Sequence, residues 1–293
     1  MNTLRLSRAL LAGLALTLPV AWVDGSMAQG RPATQRKAPK GPKLDVPALE
    51  AQLKSRNAGE MRAALAIARP AGPAAAPLAP TLERILRDGL PSDLSIEAMQ
   101  TLAAIGSETS SGALSTLTHH RDPKLRREAA RALIKTRGPE AVKALRRCMS
   151  DGDGAVREVA ASGLGQLGAK EMVPDLFVAL DHKVAEAAGA IGQLCDAAQC
   201  EQLLGKLTRI SFDILSPGFD QILFRPTSEV SDDLKIKVVG RVREMGTVES
   251  NRLLKDVQGR WPAKGSKKVK QAIDQAVIAT EGGAGAKPEG GAQ

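Results

Sequence analysis

The chain has 293 residues and a formal net charge of +9, and it contains no Tyr, four Phe and two Trp. A β-sandwich needs β-branched and aromatic residues in its core, so this Ala-, Leu- and Gly-rich composition excludes that class and favours closely packed helices. The excess of positive charge favours anionic partners.

The chain opens with the pattern of a secretory signal peptide, over residues 1–28. Two arginines precede an apolar run at 9–23, and residues 26–28 (Ser-Met-Ala) place small side chains where a signal peptidase reads them. The apolar run is short for a membrane span. We therefore expect cleavage before Gln29 and an exported chain, periplasmic or secreted, with no transmembrane segment after cleavage.

Three further regions follow the signal peptide. Residues 29–43 hold five basic residues, three prolines and no acidic residue, which predicts a disordered basic arm. Residues 44–280 carry a repeating apolar pattern, interrupted at 210–232, and are predicted to form the folded domain. The Gly-rich residues 281–293 are predicted to be a disordered tail.

The repeat is visible in four leucines, each 31 residues after the previous one: Leu114, Leu145, Leu176 and Leu207. Within each unit, apolar residues at helical spacing mark two helices, A and B. No unit can bury its apolar face alone, so the units must stack. In this register the four leucines are expected to fill equivalent buried places.

Helix boundaries and close contacts are also predicted by residue type. Asp122 followed by Pro123 is typical of a helix start. Glycines are expected to end helix A in a left-handed conformation, and two others, within helix A, to let neighbouring helices approach closely. The first set is Gly106, Gly138, Gly168 and Gly246, and the second is Gly165 and Gly192.

Helix A opens in two units with an acidic residue followed four positions later by an arginine: Asp122/Arg126 and Asp153/Arg157. A 31-residue helix pair with this opening resembles HEAT repeats, especially the short bacterial type named after the phycobilisome lyases. The resemblance implies an all-α, right-handed α-solenoid of about six two-helix HEAT-like repeats. It also implies that these acidic and basic residues form a ladder between adjacent repeats.

Two short motifs resemble ligand-binding sites, but the residues around them do not fit either site. Asp151 and Asp153 could open a calcium loop, but Ala155 and Val156 stand where an EF-hand needs an oxygen ligand and a glycine. The G-x-G-x-x-G at 163–168 ends a helix, whereas a dinucleotide fingerprint follows a strand and opens a helix.

The turn residues His120, Asp151 and His182 share the 31-residue period. Stacked units stand about 9–10 Å apart, which is too far for these side chains to bind the same metal ion. We expect no cofactor and no metal.

No catalytic nucleophile is recognisable, and no G-x-S-x-G motif occurs. Cys195 and Cys200 could pair in an oxidising compartment. Cys148 is expected to be a buried apolar residue. The sequence therefore predicts a binding protein and not an enzyme.

Two candidate binding surfaces remain. The first is a ridge of basic residues on the B helices, facing an acidic or extended protein partner: Lys143, Arg146, Arg147, Arg209, Arg252 and Lys255. The second is the interruption at 210–232, where Ser-Pro-Gly predicts a turn. That segment is either a hairpin that caps the stack or a hot spot built on Phe219 and Phe224.

The sequence thus predicts an exported scaffold for protein–protein interaction. The alternatives are an accessory factor of the lyase type and a binder of anionic envelope polymer or lipid. Nucleic acid is disfavoured by the export signal and by the lack of aromatic residues that could stack on bases.

Overall fold

The computed structural model describes residues 44–283, and within that range the chain is helical, with no strand. The α-helices are α1 (Val46–Lys54), α2 (Ala58–Ala71), α3 (Ala79–Asp88), α4 (Ser92–Ile105), α5 (Ser111–Leu117), α6 (Pro123–Thr136), α7 (Pro139–Cys148), α8 (Gly154–Leu167), α9 (Val173–Asp181), α10 (Glu186–Leu194), α11 (Ala197–Gly205), α12 (Phe212–Phe224), α13 (Asp232–Met245), α14 (Val248–Arg260) and α15 (Lys267–Gly283). Short 3₁₀ turns occupy Gly72–Leu78, Glu108–Ser110, Lys170–Met172 and Lys206–Thr208. The all-α prediction is confirmed. The predicted signal peptide, basic arm and most of the tail lie outside the described residues.

Helix starts follow the residue types at the caps. Asp122 accepts a hydrogen bond from the backbone N–H of Lys124 at 2.9 Å, and Pro123 is the first helical residue of α6, as predicted. Asp153 caps α8 in the same way through the N–H of Val156, at 3.1 Å. These bonds satisfy donors that the helix itself leaves free.

Three of the four glycines predicted to end a helix in a left-handed backbone conformation do so: Gly106, Gly168 and Gly246. The prediction for Gly138 is wrong, since this residue has φ −75° and the left-handed residue is Arg137. Pro139 explains the change, because a residue before proline is driven into extended conformations.

Two rows of helices build the stack. In the first row α2, α4, α6, α8, α10 and α12 contact one another in that order. In the second row α1, α3, α5 and α7 contact one another in that order. Further along the chain, α9 and α11 both pack against α10 of the first row. Each first-row helix up to α10 is followed in the chain by a second-row helix, which is the predicted A–B pairing.

The repeat register holds for three of the four leucines. Leu114, Leu145 and Leu176 are fully buried between helices. Leu207 lies in the 3₁₀ turn after α11 and is only partly buried, packed at the edge of the core. The prediction that all four are equivalent is therefore wrong for Leu207, because α11 ends before it.

Glycines permit close contact between α8, α10 and α12, as predicted. A Cβ atom on Gly165 would lie 3.1 Å from the Cα of Ala190, and one on Gly192 would lie 2.8 Å from the Cα of Gly218. The 2.8 Å distance is shorter than real Cβ atoms show and the 3.1 Å distance is unusually tight, so these helices pack backbone against backbone.

The interruption at 210–232 is a helix and not a hairpin. Pro217 lies inside α12, and the turn predicted at Ser216–Gly218 does not form. Proline cannot donate to the carbonyl of Asp213, four residues earlier. The hydroxyl of Ser216 donates to that carbonyl instead, at 3.2 Å.

The added helix changes the rows that follow. By sequence, α13 resembles the first helix of a repeat and α14 the second. In the structure α13 contacts α12 as well as α11, and α14 follows α12 in the first row as α13 follows α11 in the second. One inserted helix has therefore exchanged the sides of the stack on which the later helices lie.

Across residues 44–283 we find no helix with the length and apolar character that crossing a membrane requires.

Candidate binding groove between α7 and α9

A groove of about 800 Å³ opens between α7 and α9. We call it the α7–α9 groove. Its lining residues are Arg146, Arg147, Met149, Ser150, Arg157, Asp175, Val178, Ala179 and His182. The groove brings together two of the six predicted ridge residues, Arg146 and Arg147, with Arg157 from the first turn of α8 and His182 from the end of α9.

The helical period of α7 explains why its arginines face the groove. Ala141, Ala144 and Leu145 are fully buried, which commits one face of the helix to the core. Arg146 and Arg147 fall on the other side and are exposed. On α9, Val178 is likewise turned away from the core, with 58% of its surface exposed.

Positive charge is in excess in this groove. Arg146 Nη2 lies 3.0 Å from the carboxylate Oδ1 of Asp175, which links α7 to α9. Asp175 is the one acidic residue among those that line the groove. Within residues 44–283, Arg147 and Arg157 form no ion pair at 4.0 Å or less, so two guanidinium groups remain for an anion.

Of the predicted ladder one rung forms, from Arg126, and its carboxylate is not the predicted one. Arg126 donates from Nε and Nη2 to both oxygens of Asp151, each at 2.7 Å. Asp122 and Asp153, the predicted acidic members, instead cap their own helices. The spacing of 25 residues from Arg126 to the turn before the next A helix was the signal that sequence reasoning missed.

This pair is well shielded, with 18% of the Arg126 side chain and 10% of the Asp151 side chain exposed. The hydrogen bonds from Arg126 are the main cause that lowers the pKa of Asp151 below its usual value, and they raise the pKa of Arg126.

Comparison with known proteins assigns the repeats. The family described as HEAT repeats matches residues 78–157 and 110–194. Residues 78–194 are therefore similar to HEAT repeats. The resemblance inferred from the sequence is confirmed for this part of the chain, which contains both the Arg126–Asp151 pair and the α7–α9 groove. HEAT repeats are α-solenoid modules that offer extended binding surfaces, and their fold is typical of protein-interaction scaffolds.

Solved structures with similar folds are distant. One is the complex of CpcE and CpcF of phycocyanin lyase from Nostoc sp. PCC7120, at 18% identity over 84% of this chain and 98% of that chain, with a TM-score of 0.46. A designed armadillo repeat protein in complex with the peptide (KR)4 has 15% identity over 81% and 100%, with a TM-score of 0.39. Human deoxyhypusine hydroxylase has 16% identity over 81% and 96%, with a TM-score of 0.37. No curated protein sequence matches this chain.

The predicted basic ridge is not continuous across the HEAT repeats and the helices beyond them. Lys143 pairs with Glu140 on its own helix, at 3.2 Å. Arg209 is exposed after the 3₁₀ turn that follows α11. Arg252 and Lys255 lie on α14, whose main contacts are with α12, α13 and α15, far along the stack from α7. The six residues therefore occupy three separate places, of which the α7–α9 groove is one.

Lys255 also differs from the groove arginines in having a partner, because its Nζ lies 2.9 Å from Glu281.

The aromatic hot spot predicted after the HEAT repeats is corrected by the burial of its residues. Phe219 is fully buried and belongs to the core, so it offers no surface to a partner. Phe224 is partly buried, with its ring 5.8 Å from that of Trp261 and the guanidinium of Arg260 4.6 Å above it. The phenylalanines of α12 thus serve packing, in a helix inside the stack and not in the predicted capping hairpin.

The cysteines are placed as the sequence suggested. Cys195 and Cys200 form a disulfide across the connection from α10 to α11, with their Cα atoms 5.3 Å apart. Cys148 is buried on α7, and burial is the main cause that raises the pKa of its thiol.

The turn residues that could be mistaken for metal ligands are engaged separately. His120 Nδ1 accepts a hydrogen bond from the N–H of Asp122 at 3.0 Å, Asp151 binds Arg126, and His182 lines the groove. Among residues 44–283 no group of three His, Cys, Asp or Glu side chains converges to hold a metal.

Proposed function

We propose that this chain is an exported scaffold that binds an acidic, extended segment of a protein partner in the α7–α9 groove. The observation that carries the proposal is the charge of the groove. Arg147 and Arg157 have no ion-pair partner there within the described residues, and the carboxylate of Asp175 is engaged by Arg146. A partner that supplies carboxylates would form charge-assisted hydrogen bonds with the free guanidinium groups.

The shape and the apolar component of the groove favour a protein segment over a lipid surface. The groove lies between two helices, where a single extended chain can enter and a flat bilayer cannot. Val178 adds an exposed apolar contact in the same groove. A peptide that carries both acidic and apolar side chains matches this combination, since polar contacts give orientation and apolar contacts give affinity.

Export is part of the proposal, and it rests on the signal-peptide pattern of residues 1–28. The Cys195–Cys200 disulfide supports it, because disulfides persist in oxidising compartments. Mass spectrometry of the protein recovered from the periplasm or the medium should give Gln29 as the first residue. Exported protein that retains Met1 would contradict the cleavage.

Binding is tested with a fluorescein-labelled deca-glutamate peptide and the full exported chain, by fluorescence anisotropy. Arg147→Glu should weaken binding at least about tenfold, because a hydrogen bond to a charged group contributes about 1.5–3 kcal/mol. The matched control is Arg252→Glu, which makes the same charge reversal on α14. It should change the Kd less than about threefold at about 0.15 M salt, where long-range charge effects are screened.

Folding of both variants is checked by far-ultraviolet circular dichroism and thermal melting, and exposed charge changes should alter stability by about 0.5 kcal/mol or less. Equal losses of binding in the two variants would show that net charge, and not the groove, attracts the peptide. Binding to phosphatidylglycerol vesicles that is abolished by Arg147→Glu, with no binding of the peptide, would replace the protein partner by a membrane surface.

A further inference from the structure

Arg126 and Arg157 occupy equivalent positions in successive HEAT repeats. They are 31 residues apart, and each lies in the first turns of its helix, α6 or α8. Each also begins its contacts in the same way. Nη1 donates to the carbonyls six and five residues earlier in the chain, at 3.0 and 3.1 Å for Arg126 and at 2.7 and 3.2 Å for Arg157.

The two arginines differ at the other edge of the guanidinium group, which carries Nε and Nη2. Nε and Nη2 of Arg126 donate to the carboxylate of Asp151, in the two parallel bonds typical of an Arg–carboxylate pair. The residue 31 positions after Asp151 is His182. Within residues 44–283, Nε and Nη2 of Arg157 have no hydrogen-bond acceptor.

His182 cannot replace the missing carboxylate. An imidazole offers at most one acceptor nitrogen, and none when it is protonated, whereas the arginine edge presents two parallel N–H groups. Both Arg157 and His182 line the α7–α9 groove, and His182 is exposed there. The position beside Arg157 that corresponds to the position of Asp151 beside Arg126 therefore holds no carboxylate and opens into the α7–α9 groove.

We propose that Arg157 is the anchor of the groove and receives a carboxylate of the partner in the place that Asp151 occupies on Arg126. This inference rests on the proposed function and specifies it. The two bonds from Nη1 to the backbone hold the guanidinium before the partner arrives, so little side-chain freedom is lost on binding. Arg147 also lines the groove and adds positive charge.

The decisive variant is His182→Asp, which gives the chain its own carboxylate at the position equivalent to Asp151. It should close on Arg157 and compete with the partner. We expect the Kd of the deca-glutamate peptide to rise at least tenfold and the melting temperature to rise by about 2–4 °C, the shift that one added favourable pair of about 1 kcal/mol gives in a domain of this size.

Three controls separate this effect from others. His119→Asp makes the same charge change on an exposed turn two repeats away and should leave the Kd within about twofold, as expected for screened charges. His182→Asn removes the imidazole without adding charge and should leave binding intact. Arg157→Lys keeps the positive charge but loses the planar fork, and should weaken binding about as much as His182→Asp.

The peptide is used with an amidated and with a free C-terminus, so that a preference for the terminal carboxylate over side-chain carboxylates is seen directly. If Arg147→Glu weakens binding while His182→Asp and Arg157→Lys behave like His119→Asp, the groove binds the peptide but Arg157 is not its anchor. If Arg147→Glu and Arg252→Glu have equal effects, the groove itself is not the site and the proposed function fails. A rise in Kd for His182→Asp without a rise in melting temperature would also overturn the anchor, because the new carboxylate would then act at a distance.

Discussion

The two-helix repeats before α12 and the helices after it are built from similar sequences but are placed differently. Up to α8, the period of the sequence and the period of the stack agree, and every second helix contacts the previous member of its row. After α12, the helix that resembles the first member of a repeat contacts α11, in the second row. The comparison teaches that a sequence repeat predicts which helices pair, whereas the number of helices in between decides on which side they lie.

The two regions also meet through an unusual contact. Within the repeats, leucines such as Leu145 fill the space between helices. Between α10 and α12, glycines bring the backbones together, with Gly192 facing Gly218. Side-chain packing adapts to a lost methyl group, but two touching main chains cannot adapt to an added one.

The largest effect is expected from breaking this junction with Gly192→Val. A Cβ here would lie 2.8 Å from the Cα of Gly218, and backbone cannot move aside as a flexible side chain does. We expect a loss of about 4 kcal/mol or more in the free energy of unfolding, or failure to fold, because overpacking against a rigid neighbour is among the costliest changes. Urea denaturation provides the measurement.

The matched control is Gly240→Ala, in the middle of α13, where a Cβ meets no atom within 4 Å. This change should stabilise the protein by about 0.5–1 kcal/mol, the helix-propensity difference between the two residues. Equal losses in both variants would mean that α10 and α12 do not touch through their backbones.

The next effect compares Leu145→Ala with Leu207→Ala. Leu145 is fully buried, and its truncation should cost about 3 kcal/mol, as for a core leucine that leaves a cavity. Leu207 shares the sequence register but is only partly buried in a 3₁₀ turn, and its truncation should cost about 1 kcal/mol. Equal costs in urea denaturation would restore the strict 31-residue equivalence and contradict the structure.

A change within the regular repeats is Asp151→Asn, which leaves Arg126 without its carboxylate. We expect a loss of about 2–3 kcal/mol at pH 7, somewhat less than for a fully buried pair, since the two side chains are 18% and 10% exposed.

The effect should depend on pH in a defined direction. The pKa of Asp151 is lowered in the folded state, so the carboxylate stabilises the fold above the unfolded pKa of about 3.9. This contribution falls as the pH drops through the lower folded pKa. The gap between the two proteins should therefore narrow below about pH 4, and a gap that stays constant from pH 7 to pH 3 would exclude the pair as its source.

The smallest effect is expected at the Cys195–Cys200 disulfide, just before the rows change. It closes a short loop, so the double change to Ala should cost less than about 2 kcal/mol. Alkylation of unreduced, denatured protein should label Cys148 alone. Labelling of all three cysteines would show that the disulfide does not form.

The sequence was informative wherever local chemistry decides the outcome. Asp122 and Pro123 start α6 because a side-chain cap and a preset φ act within one turn. The 31-residue period gave the paired helices and the burial of Leu114, Leu145 and Leu176, because one apolar face per helix must be covered. Gly138 misled the reading, since the following proline outweighed the preference of glycine.

The candidate site was only partly within reach of the sequence. Arg146 and Arg147 were found because they lie off the apolar stripe of α7. Arg157 and His182 were not combined with them, because the contact joins residues from different repeats whose distance no local pattern reports. Arg252 was grouped with them by sequence equivalence, which the exchange of rows makes invalid.

By itself the sequence determined the all-α class, the helix pairs before α12 and the start of α6, because capping, periodicity and apolar spacing act over a few residues. Only the tertiary structure decided that α12 is a helix through Pro217, that Asp151 and not Asp122 or Asp153 closes on Arg126, and that α14 packs against α12. These outcomes depend on which backbones and charges meet across the stack. Those meetings are fixed by the packing of the whole chain. Packing sums many weak contacts, and no single segment encodes it.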